Sequence, residues 1–308
     1  MSMIQYGLWP NCTNHCDFCL LLDREYKSIE ERLNMLYAIN ENIKVQDWKN
    51  KFSNGISLLG GEIYYTESEE IRKRFLELIE NIIKIIIIPN KTTVYSTVTN
   101  GIYDSKILLE PVLDLFEKYH VLNQVDINFS WDIKGRFHNE ESLQSMIKNV
   151  NLVYDKYKLI PKVQTCLTQN LIDIHLNNKF DMFKYQEQNF PNTEWSLLYP
   201  HKINTGKDVP DFFFTRSSLF KFIRYLKSIG KNDLIQHFIQ SVINSSQFKY
   251  TGLWIRDSLY TENKEKNEIY QQPTLENKQN LTECGHSDLY RCYSDSNKCM
   301  LCDLLKVI

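Results

Sequence analysis

The chain has 308 residues, of which 43% are hydrophobic and 24% charged, an ordinary composition for a globular protein with one large domain or two smaller ones. A formal net charge of -2 excludes the global positive field of many nucleic-acid-binding proteins, although local basic patches stay open. The N-terminal residues lack the pattern of a signal peptide. The most apolar run, 82–90, is far shorter than the roughly 20 residues that a membrane span needs. We therefore expect a cytoplasmic protein without a membrane partner.

Short β-like runs alternate with longer helical patterns up to residue 230, which is typical of a parallel sheet covered by helices. The predicted strands are residues 3–9, 55–61, 93–101, 124–132, 161–169 and 194–200. The predicted helices are residues 28–42, 68–85, 105–119, 140–157, 175–188 and 217–230. A helix follows each of the first five strands, so the sequence predicts an α/β fold, a barrel or partial (β/α)6 barrel.

The alternation ends near residue 244, and residues 260–283 form a polar stretch that indicates a loop or connecting arm. The last 25 residues, "CGHSDLYRCYSDSNKCMLCDLLKVI", contain two cysteine-bearing runs separated by the turn-forming "DSN", which predicts a small hairpin. We therefore divide the chain into a barrel with its C-terminal helices, residues 1–243, and a small cysteine-rich C-terminal extension, residues 244–308.

Three cysteines, Cys12, Cys16 and Cys19, follow the first predicted strand in the sequence "CTNHCDFC". Because nothing indicates secretion, thiolate ligands are a better interpretation than disulfides. A [4Fe–4S] cluster has four irons, each normally bound by a thiolate, so three thiolates leave one iron open to a substrate. Structural zinc with His15 as the fourth ligand, and a disulfide, are weaker alternatives, since adjacent ligands at 15 and 16 suit one tetrahedral ion poorly.

Polar or glycine-rich motifs end the next three predicted strands. The second ends in "GGE", residues 60–62, the third in "TNG", residues 99–101, and the fourth in "NFSWD", residues 128–132. Glycines let a backbone approach a ligand closely, and a carboxylate accepts hydrogen bonds from an ammonium group. The "TNG" segment taken alone is equally well explained as a simple β-turn, whereas a polar pair that ends an apolar strand needs hydrogen-bond partners.

These motifs, with the aromatic Phe18 before the last cysteine, resemble the signature of the radical S-adenosylmethionine (SAM) superfamily over roughly residues 3–200. The resemblance implies a [4Fe–4S] cluster on Cys12, Cys16 and Cys19. It also implies SAM contacts from Phe18, Gly60, Gly61, Glu62, Asn100, Ser130 and Asp132. Arg136 and His138 either bind the SAM carboxylate or the substrate, or are solvated loop residues, and "LLYP", residues 197–200, packs the adenine.

The resemblance further implies the chemistry. SAM completes the coordination of the open iron, and an electron from the reduced cluster cleaves a carbon–sulfur bond of SAM. The products are methionine and a 5′-deoxyadenosyl radical, which abstracts a hydrogen atom from an unreactive substrate carbon. The cluster must then receive electrons from a low-potential donor, which we expect to be flavodoxin-like or ferredoxin-like.

The second cysteine group lies in the C-terminal extension and comprises Cys284, Cys292, Cys299 and Cys302. Four thiolates complete a site without help from the N-terminal loop. The last two cysteines have the spacing of half a zinc site, but the first two are spaced too widely for an ordinary zinc ribbon. The extension resembles the SPASM or twitch-like extensions of radical SAM enzymes that modify peptides, although it is shorter. The resemblance implies an auxiliary [4Fe–4S] cluster, with zinc as the alternative metal and His286 as a bystander or alternative ligand.

Cys166 lies alone in the fifth predicted strand. It is either a buried apolar side chain or a catalytic thiol that gives a hydrogen atom to a substrate radical. The residues between 201 and 283 are rich in aromatic and cationic side chains, which either bind a peptide or nucleic acid or cover an open barrel edge.

The sequence leaves three functions open. The first is a radical SAM enzyme that acts on a peptide or protein. The second is radical SAM modification of a nucleotide, an RNA base or another small metabolite. The third is a non-catalytic iron–sulfur or zinc-binding protein.

Overall fold

The computed structural model divides the chain into two compact units. The first unit takes in Met1–Ser130, Phe137–Lys162 and Tyr250–Thr274, and the second takes in Trp131–Arg136, Val163–Lys249 and Leu275–Ile308. Within them, the structure describes residues 3–16, 25–45, 55–132, 136–137, 139–177, 180–198, 216–246, 253–255 and 270–271. Nearly all of the predicted C-terminal extension lies outside these residues, so the predicted boundary at residue 243 stays a prediction.

The described strands agree with the predicted alternation. In chain order they are β1 (Met3–Gly7), β2 (Gly55–Leu59), β3 (Val94–Thr99), β4 (Val125–Ser130), β5 (Lys162–Cys166), β6 (Glu194–Leu198), β7 (Leu253–Ile255) and β8 (Tyr270–Gln271). In the first unit β1 to β4 are parallel and lie in sequence order, β7 pairs parallel with β1, and β8 pairs antiparallel with β7. The six predicted strands each contain an observed strand. The short β7 and β8 were not predicted.

The α-helices in chain order are α1 (Ile29–Val45), α2 (Glu69–Ile82), α3 (Leu109–Lys118), α4 (Glu140–Tyr157), α5 (Gln169–Leu176), α6 (Met182–Asn189), α7 (Arg216–Ser228) and α8 (Asn232–Ser246). A π-helix, Ile83–Ile87, continues α2, and a 3-10 helix, Leu122–Gln124, precedes β4. The prediction of one helix over 175–188 was wrong. The side-chain oxygen of Asp181 accepts hydrogen bonds from the N–H groups of Phe183 and Lys184, so it begins a new helix there. The α8 helix was not predicted.

The sheet of the first unit has two different faces. On one face, Tyr6 donates a hydrogen bond to Asn42 of α1, and Tyr95 packs on Phe116 of α3 with ring centroids 5.2 Å apart. Side chains alternate along a strand, so the neighbours of Tyr95 point to the other face. There Val98 is 39% exposed. We call this second face the open face, and it belongs to an α/β sheet whose described strands do not close into a barrel.

The open face carries a hydrogen-bonded polar row across β3 and β4. Ser96 Oγ lies 3.4 Å from a carboxylate oxygen of Asp126 and 3.4 Å from Asn128 Nδ2. Lys162 Nζ lies 3.0 Å from the other carboxylate oxygen of Asp126.

Among the described helices, none has both the length and the apolar character that a membrane crossing requires.

Candidate functional site

The segment Leu8 to Cys16, which we call the cysteine loop, continues from β1 alongside the end of β2. Leu8 N donates to the carbonyl oxygen of Leu59 at 2.6 Å, and Gly61 N donates to the carbonyl oxygen of Trp9 at 2.8 Å. Glu62 N donates to the carbonyl oxygen of Asn11, also at 2.8 Å. These bonds extend the pairing of β1 and β2 beyond the strands themselves, so the cysteine loop is fixed against "GGE".

The two glycines of "GGE" are required by the cysteine loop itself. A Cβ atom on Gly60 would lie 2.8 Å from the carbonyl oxygen of Trp9, and one on Gly61 would overlap the backbone of Pro10 and Asn11. The group that the structure places against this backbone is the neighbouring loop, whereas the sequence predicted a ligand there. Direct contact of Gly60 and Gly61 with SAM stays a prediction.

The Glu62 carboxylate is fully buried, at 0% exposure, and both of its oxygens accept hydrogen bonds. One oxygen accepts from Tyr64 N at 3.0 Å, and the other accepts from Asn100 N at 2.8 Å and from Thr99 Oγ1 at 2.9 Å. Burial raises the pKa of Glu62 to about 7, while hydrogen bonds from Asn100, Tyr64 and Thr99 act in the opposite direction. The carboxylate therefore joins the ends of β2 and β3.

The "TNG" turn connects that carboxylate to the first cysteine. Asn100 Nδ2 lies 3.2 Å from Cys12 Sγ and 3.3 Å from Thr13 Oγ1, while Asn100 Oδ1 accepts a hydrogen bond from Ile102 N at 2.7 Å. Gly101 has φ of 72°, a left-handed conformation that favours glycine. The bond from Ile102 N to Asn100 Oδ1 makes the segment an Asx-turn, and the same side chain directs its amide group at Cys12. The simple β-turn interpretation stays a prediction. The predicted SAM contact of Asn100 is untested by this geometry.

The cysteine loop supplies further donors to its own sulfurs. Asn14 N lies 3.4 Å from Cys12 Sγ, and Asn14 Nδ2 lies 3.3 Å from Cys16 Sγ. Cys12 is half-buried, Cys16 is buried, and neither forms a disulfide. Two thiols on one loop that accept N–H groups have the donor chemistry of iron–sulfur ligands. The structure thus brings together two of the three predicted ligands.

The remaining predicted site residues of the two cysteine groups are described only in part. Phe18, Cys19 and the four C-terminal cysteines lie outside the described residues, and within the described ranges no group of three His, Cys, Asp or Glu side chains forms a metal site. His15 is exposed, and its ring is stacked parallel to that of Tyr26, with centroids 6.3 Å apart.

In the second unit Asp132 organises a buried polar cluster. Its carboxylate accepts a hydrogen bond from Arg136 Nε at 2.7 Å and one from Cys166 N at 3.1 Å. Burial raises the pKa of Asp132, and the Arg136 cation opposes that shift. Burial, together with the charge of Asp132, raises the pKa of the Cys166 thiol to about 12, so the thiol keeps its proton at neutral pH. Arg136 is therefore an ion-pair partner of Asp132.

Two further predicted positions lie at the ends of strands. Ser130 is the last residue of β4 in the first unit and is half-buried, and its predicted SAM contact stays a prediction. His138 lies outside the described residues, as do the last two residues of "LLYP".

Sequence reasoning missed three residues of the site. Asn14 binds both described cysteine sulfurs, and its position between them in "CTNHC" was the available signal. Thr99 donates to Glu62 and accepts from Gly101 N at 3.1 Å. The buried hydroxyl of Tyr103 lies 3.0 Å from Thr99 Oγ1. No signal in the sequence pointed to Tyr103.

Three solved chains align with this one. The chain described as "Native anSMEcpe with bound AdoMet", where AdoMet is SAM, aligns with a TM-score of 0.50 and 17% identity over 76% of this chain and 62% of its own. The form with AdoMet and the Cp18Cys peptide aligns with a TM-score of 0.48 and 16% identity over 79% and 62% of the two chains. SuiB of Streptococcus suis bound to S-adenosylmethionine aligns with a TM-score of 0.47 and 14% identity, over 83% of this chain and 59% of its own.

The first of these alignments shows the fold: this chain has the α/β architecture of a structure solved with SAM bound. The chain spans about three fifths of the length of these solved chains. No protein-family model matches the sequence, and no curated protein matches it.

Proposed function

We propose that this chain is a radical SAM enzyme that holds a [4Fe–4S] cluster on Cys12, Cys16 and Cys19 and modifies a peptide or protein. One observation carries the proposal: Asn100 N lies 2.8 Å from Glu62 Oε2, and Asn100 Nδ2 lies 3.2 Å from Cys12 Sγ. The cysteine loop, "GGE" and "TNG" are therefore one hydrogen-bonded assembly. Their joint resemblance to one superfamily is thus matched by their joint position at the carboxyl ends of β1, β2 and β3.

When bound, the cluster and SAM supply reductive cleavage of SAM and hydrogen abstraction from the substrate. The described residues hold that site in shape. Trp9, which is fully buried, and the two glycines fix the cysteine loop on β2. Glu62 and Thr99 hold the "TNG" turn, so that Asn100 reaches the loop from the next strand. This rigid framework orients the cysteine ligands before the cofactors bind.

Contacts with SAM are proposed for the residues that the resemblance assigns to it. They are Phe18, Gly60, Gly61, Glu62, Asn100, Ser130 and Asp132. The support is that the glycine pair, Glu62 and Asn100 all lie beside the sulfur of Cys12 or one hydrogen bond from its loop. The ammonium group of SAM needs hydrogen-bond acceptors, and the carbonyl oxygens of "GGE" are of that chemical type.

A peptide or protein substrate is proposed from two features. The C-terminal cysteines, Cys284 to Cys302, resemble the auxiliary-cluster extension of peptide-modifying radical SAM enzymes. The open face of the first unit carries Ser96 and Asp126, both half-buried, whose hydroxyl and carboxylate groups are able to donate to and accept from a polar chain. The auxiliary cluster, or zinc in its place, and a flavodoxin-like or ferredoxin-like electron donor belong to the same proposal.

Anaerobic reconstitution tests the enzyme class. Two [4Fe–4S] clusters correspond to about eight irons per chain, and one cluster with zinc to about four irons and one zinc. With SAM and dithionite, the loaded protein should release 5′-deoxyadenosine, detected by mass spectrometry. Cys16→Ala should abolish the product, whereas Cys302→Ala should retain it if the C-terminal site is separate. A fully loaded protein that releases no 5′-deoxyadenosine would contradict the proposal.

The substrate class is tested by stimulation of the same reaction. A pool of short synthetic peptides that together carry every side chain is compared with a mixture of nucleosides and transfer RNA. We expect the peptide pool to raise 5′-deoxyadenosine release above the substrate-free rate. Stimulation by the nucleosides or RNA alone would reject a peptide substrate while retaining the enzyme class.

A further inference from the structure

Three N–H groups converge on the two described cysteine sulfurs. Asn100 Nδ2 and Asn14 N lie 3.2 and 3.4 Å from Cys12 Sγ, and Asn14 Nδ2 lies 3.3 Å from Cys16 Sγ. Both asparagines are buried. We propose that Asn14 and Asn100 raise the reduction potential of the cluster that these cysteines hold, an inference that rests on the proposed function.

The electrostatic reason is the charge that reduction adds. A one-electron reduction makes the cluster and its thiolates more negative, and N–H dipoles directed at the sulfurs stabilise the reduced state more than the oxidised state. The low effective dielectric of a buried site strengthens that preference. The cluster is then reduced by a weaker donor than it would require without the two asparagines.

Asn100 is held in the donating orientation by the rest of its own structure. Its Oδ1 accepts from Ile102 N at 2.7 Å, and its backbone N donates to Glu62 at 2.8 Å. Rotation of the amide by half a turn would place Oδ1 against Cys12 Sγ and a donor against the Ile102 N–H group, which costs both hydrogen bonds. The assignment of Nδ2 to the sulfur therefore follows from the turn.

Asn14 acts from within the cysteine loop. Its backbone N–H points at the sulfur two residues before it, and its side-chain amide points at the sulfur two residues after it. One residue therefore donates to two predicted iron ligands. Substitution of the side chain removes the donor to Cys16 and leaves the backbone donor to Cys12 in place.

The test is a potentiometric titration of the reconstituted full chain, without SAM, followed by electron paramagnetic resonance of the reduced cluster. Asn100→Ser keeps an oxygen for the Ile102 N–H group but does not reach the sulfur, and Asn100→Asp replaces the donor with a negative charge. Asn14→Ser removes the donor to Cys16. The matched control is Asn90→Ser. Asn90 lies before β3, whereas Asn100 follows it, and the side chain of Asn90 donates to the carbonyl oxygen of Ile86 at 2.8 Å.

We expect more negative midpoint potentials for Asn100→Ser and Asn14→Ser, a larger shift for Asn100→Asp, and no shift for the control. Variants that keep the wild-type potential while the wild-type chain cleaves SAM overturn this inference alone. If the variants shift the potential as expected but the wild-type chain releases no 5′-deoxyadenosine, the proposed function alone is overturned. A wild-type chain that binds no cluster overturns both.

Iron content separates tuning from retention. If both serine variants keep the thermal stability of the wild-type apoprotein but bind less than half of its iron, the asparagines retain the cluster, and the tuning role is overturned. Equal iron content with shifted potentials supports tuning. Because the two asparagines lie on different segments, failure of one variant to fold leaves the other to decide.

Discussion

Trp9 is hydrogen-bonded to "GGE" in both directions: its indole Nε1 lies 3.3 Å from the carbonyl oxygen of Glu62, and its carbonyl oxygen accepts from Gly61 N at 2.8 Å. A single buried side chain thus fixes the segment that carries the first cysteine to the end of β2. Its ring also lies below the guanidinium of Arg32, 5.6 Å from the centroid. This arrangement makes the cysteine loop sensitive to changes that leave every cysteine in place.

Trp9→Phe should destabilise the protein by about 1–3 kcal/mol, because it leaves the buried carbonyl oxygen of Glu62 without its donor. It should also lower the iron content after reconstitution. Thermal unfolding and an iron assay measure the two effects. The matched control is Trp195→Phe, which removes the bond from Trp195 Nε1 to Thr165 Oγ1 at 2.9 Å in the second unit. Equal iron loss in both variants would contradict a specific role for Trp9.

Gly61→Ala should prevent formation of the cysteine loop, because its Cβ would overlap the backbone of Pro10 and Asn11, which cannot move without breaking the bonds to β2. We expect a loss of more than about 3 kcal/mol of stability, or an unfolded chain, measured by denaturant titration. Gly230→Ala is the control, since Gly230 has φ of 75° but open space around it. That change should cost only about 1 kcal/mol of backbone strain.

The buried carboxyl of Glu62 predicts a specific pH dependence of stability. Its pKa is about 7 in the folded chain and 4.5 as its ordinary value, so between these values the folded state binds more protons than the unfolded state. The free energy of unfolding therefore falls as the pH rises from 4.5 to 7, by roughly 3 kcal/mol in total from this group.

Glu62→Gln should remove that contribution, and urea titrations at several pH values measure it. The matched control is Glu69→Gln, since Glu69 is exposed, and an equal change of slope in both variants would contradict a specific role for Glu62. If the slope between pH 4.5 and 7 is the same in wild type and Glu62→Gln, the carboxyl is not responsible for it.

Cys166 should resist alkylation in the folded protein. Its thiol is protonated at neutral pH because burial raises its pKa to about 12, and the thiolate is the reactive form. Iodoacetamide at pH 8, followed by peptide mass mapping, should label Cys166 only after unfolding. Labelling of Cys166, which is half-buried, in the folded chain at the rate of the unfolded chain would contradict its raised pKa. A protonated thiol is also the form that a hydrogen-atom donor requires, so the catalytic interpretation of Cys166 stays open to test.

Much of the fold was predictable because short β-like runs alternate with longer segments that have the apolar spacing of a helix. The six strands of the repeated units were found from that pattern. The split between α5 and α6 was missed, since apolar spacing continues across Asp181, and only the capping bonds of that residue show that a new helix begins. The pairing of β7 with β1 joins residues some 250 positions apart, and local patterns carry no information on such contacts.

The site was predictable as a set of motifs but not as a set of contacts. The sequence predicted that Glu62 and Asn100 contact SAM, and it placed them at the carboxyl ends of the second and third strands. It did not predict that Asn100 donates to Cys12, because that bond depends on the turn at Gly101 and on the path of the cysteine loop. Side-chain direction within a turn is decided by tertiary contacts that composition and spacing do not encode.

The hydrogen bond from Asn100 to Cys12 spans 88 positions of the chain, and it has a consequence for biosynthesis. A ribosome that has released only the N-terminal segment presents the first cysteines without β2, β3 or the asparagine that completes their surroundings. Cys12 Sγ acquires its contact with Asn100 Nδ2 only after residue 100 has emerged and folded, whereas the donors of Asn14 lie within the cysteine loop itself. The surroundings of Cys12 are therefore complete only after the first 100 residues have been made and folded.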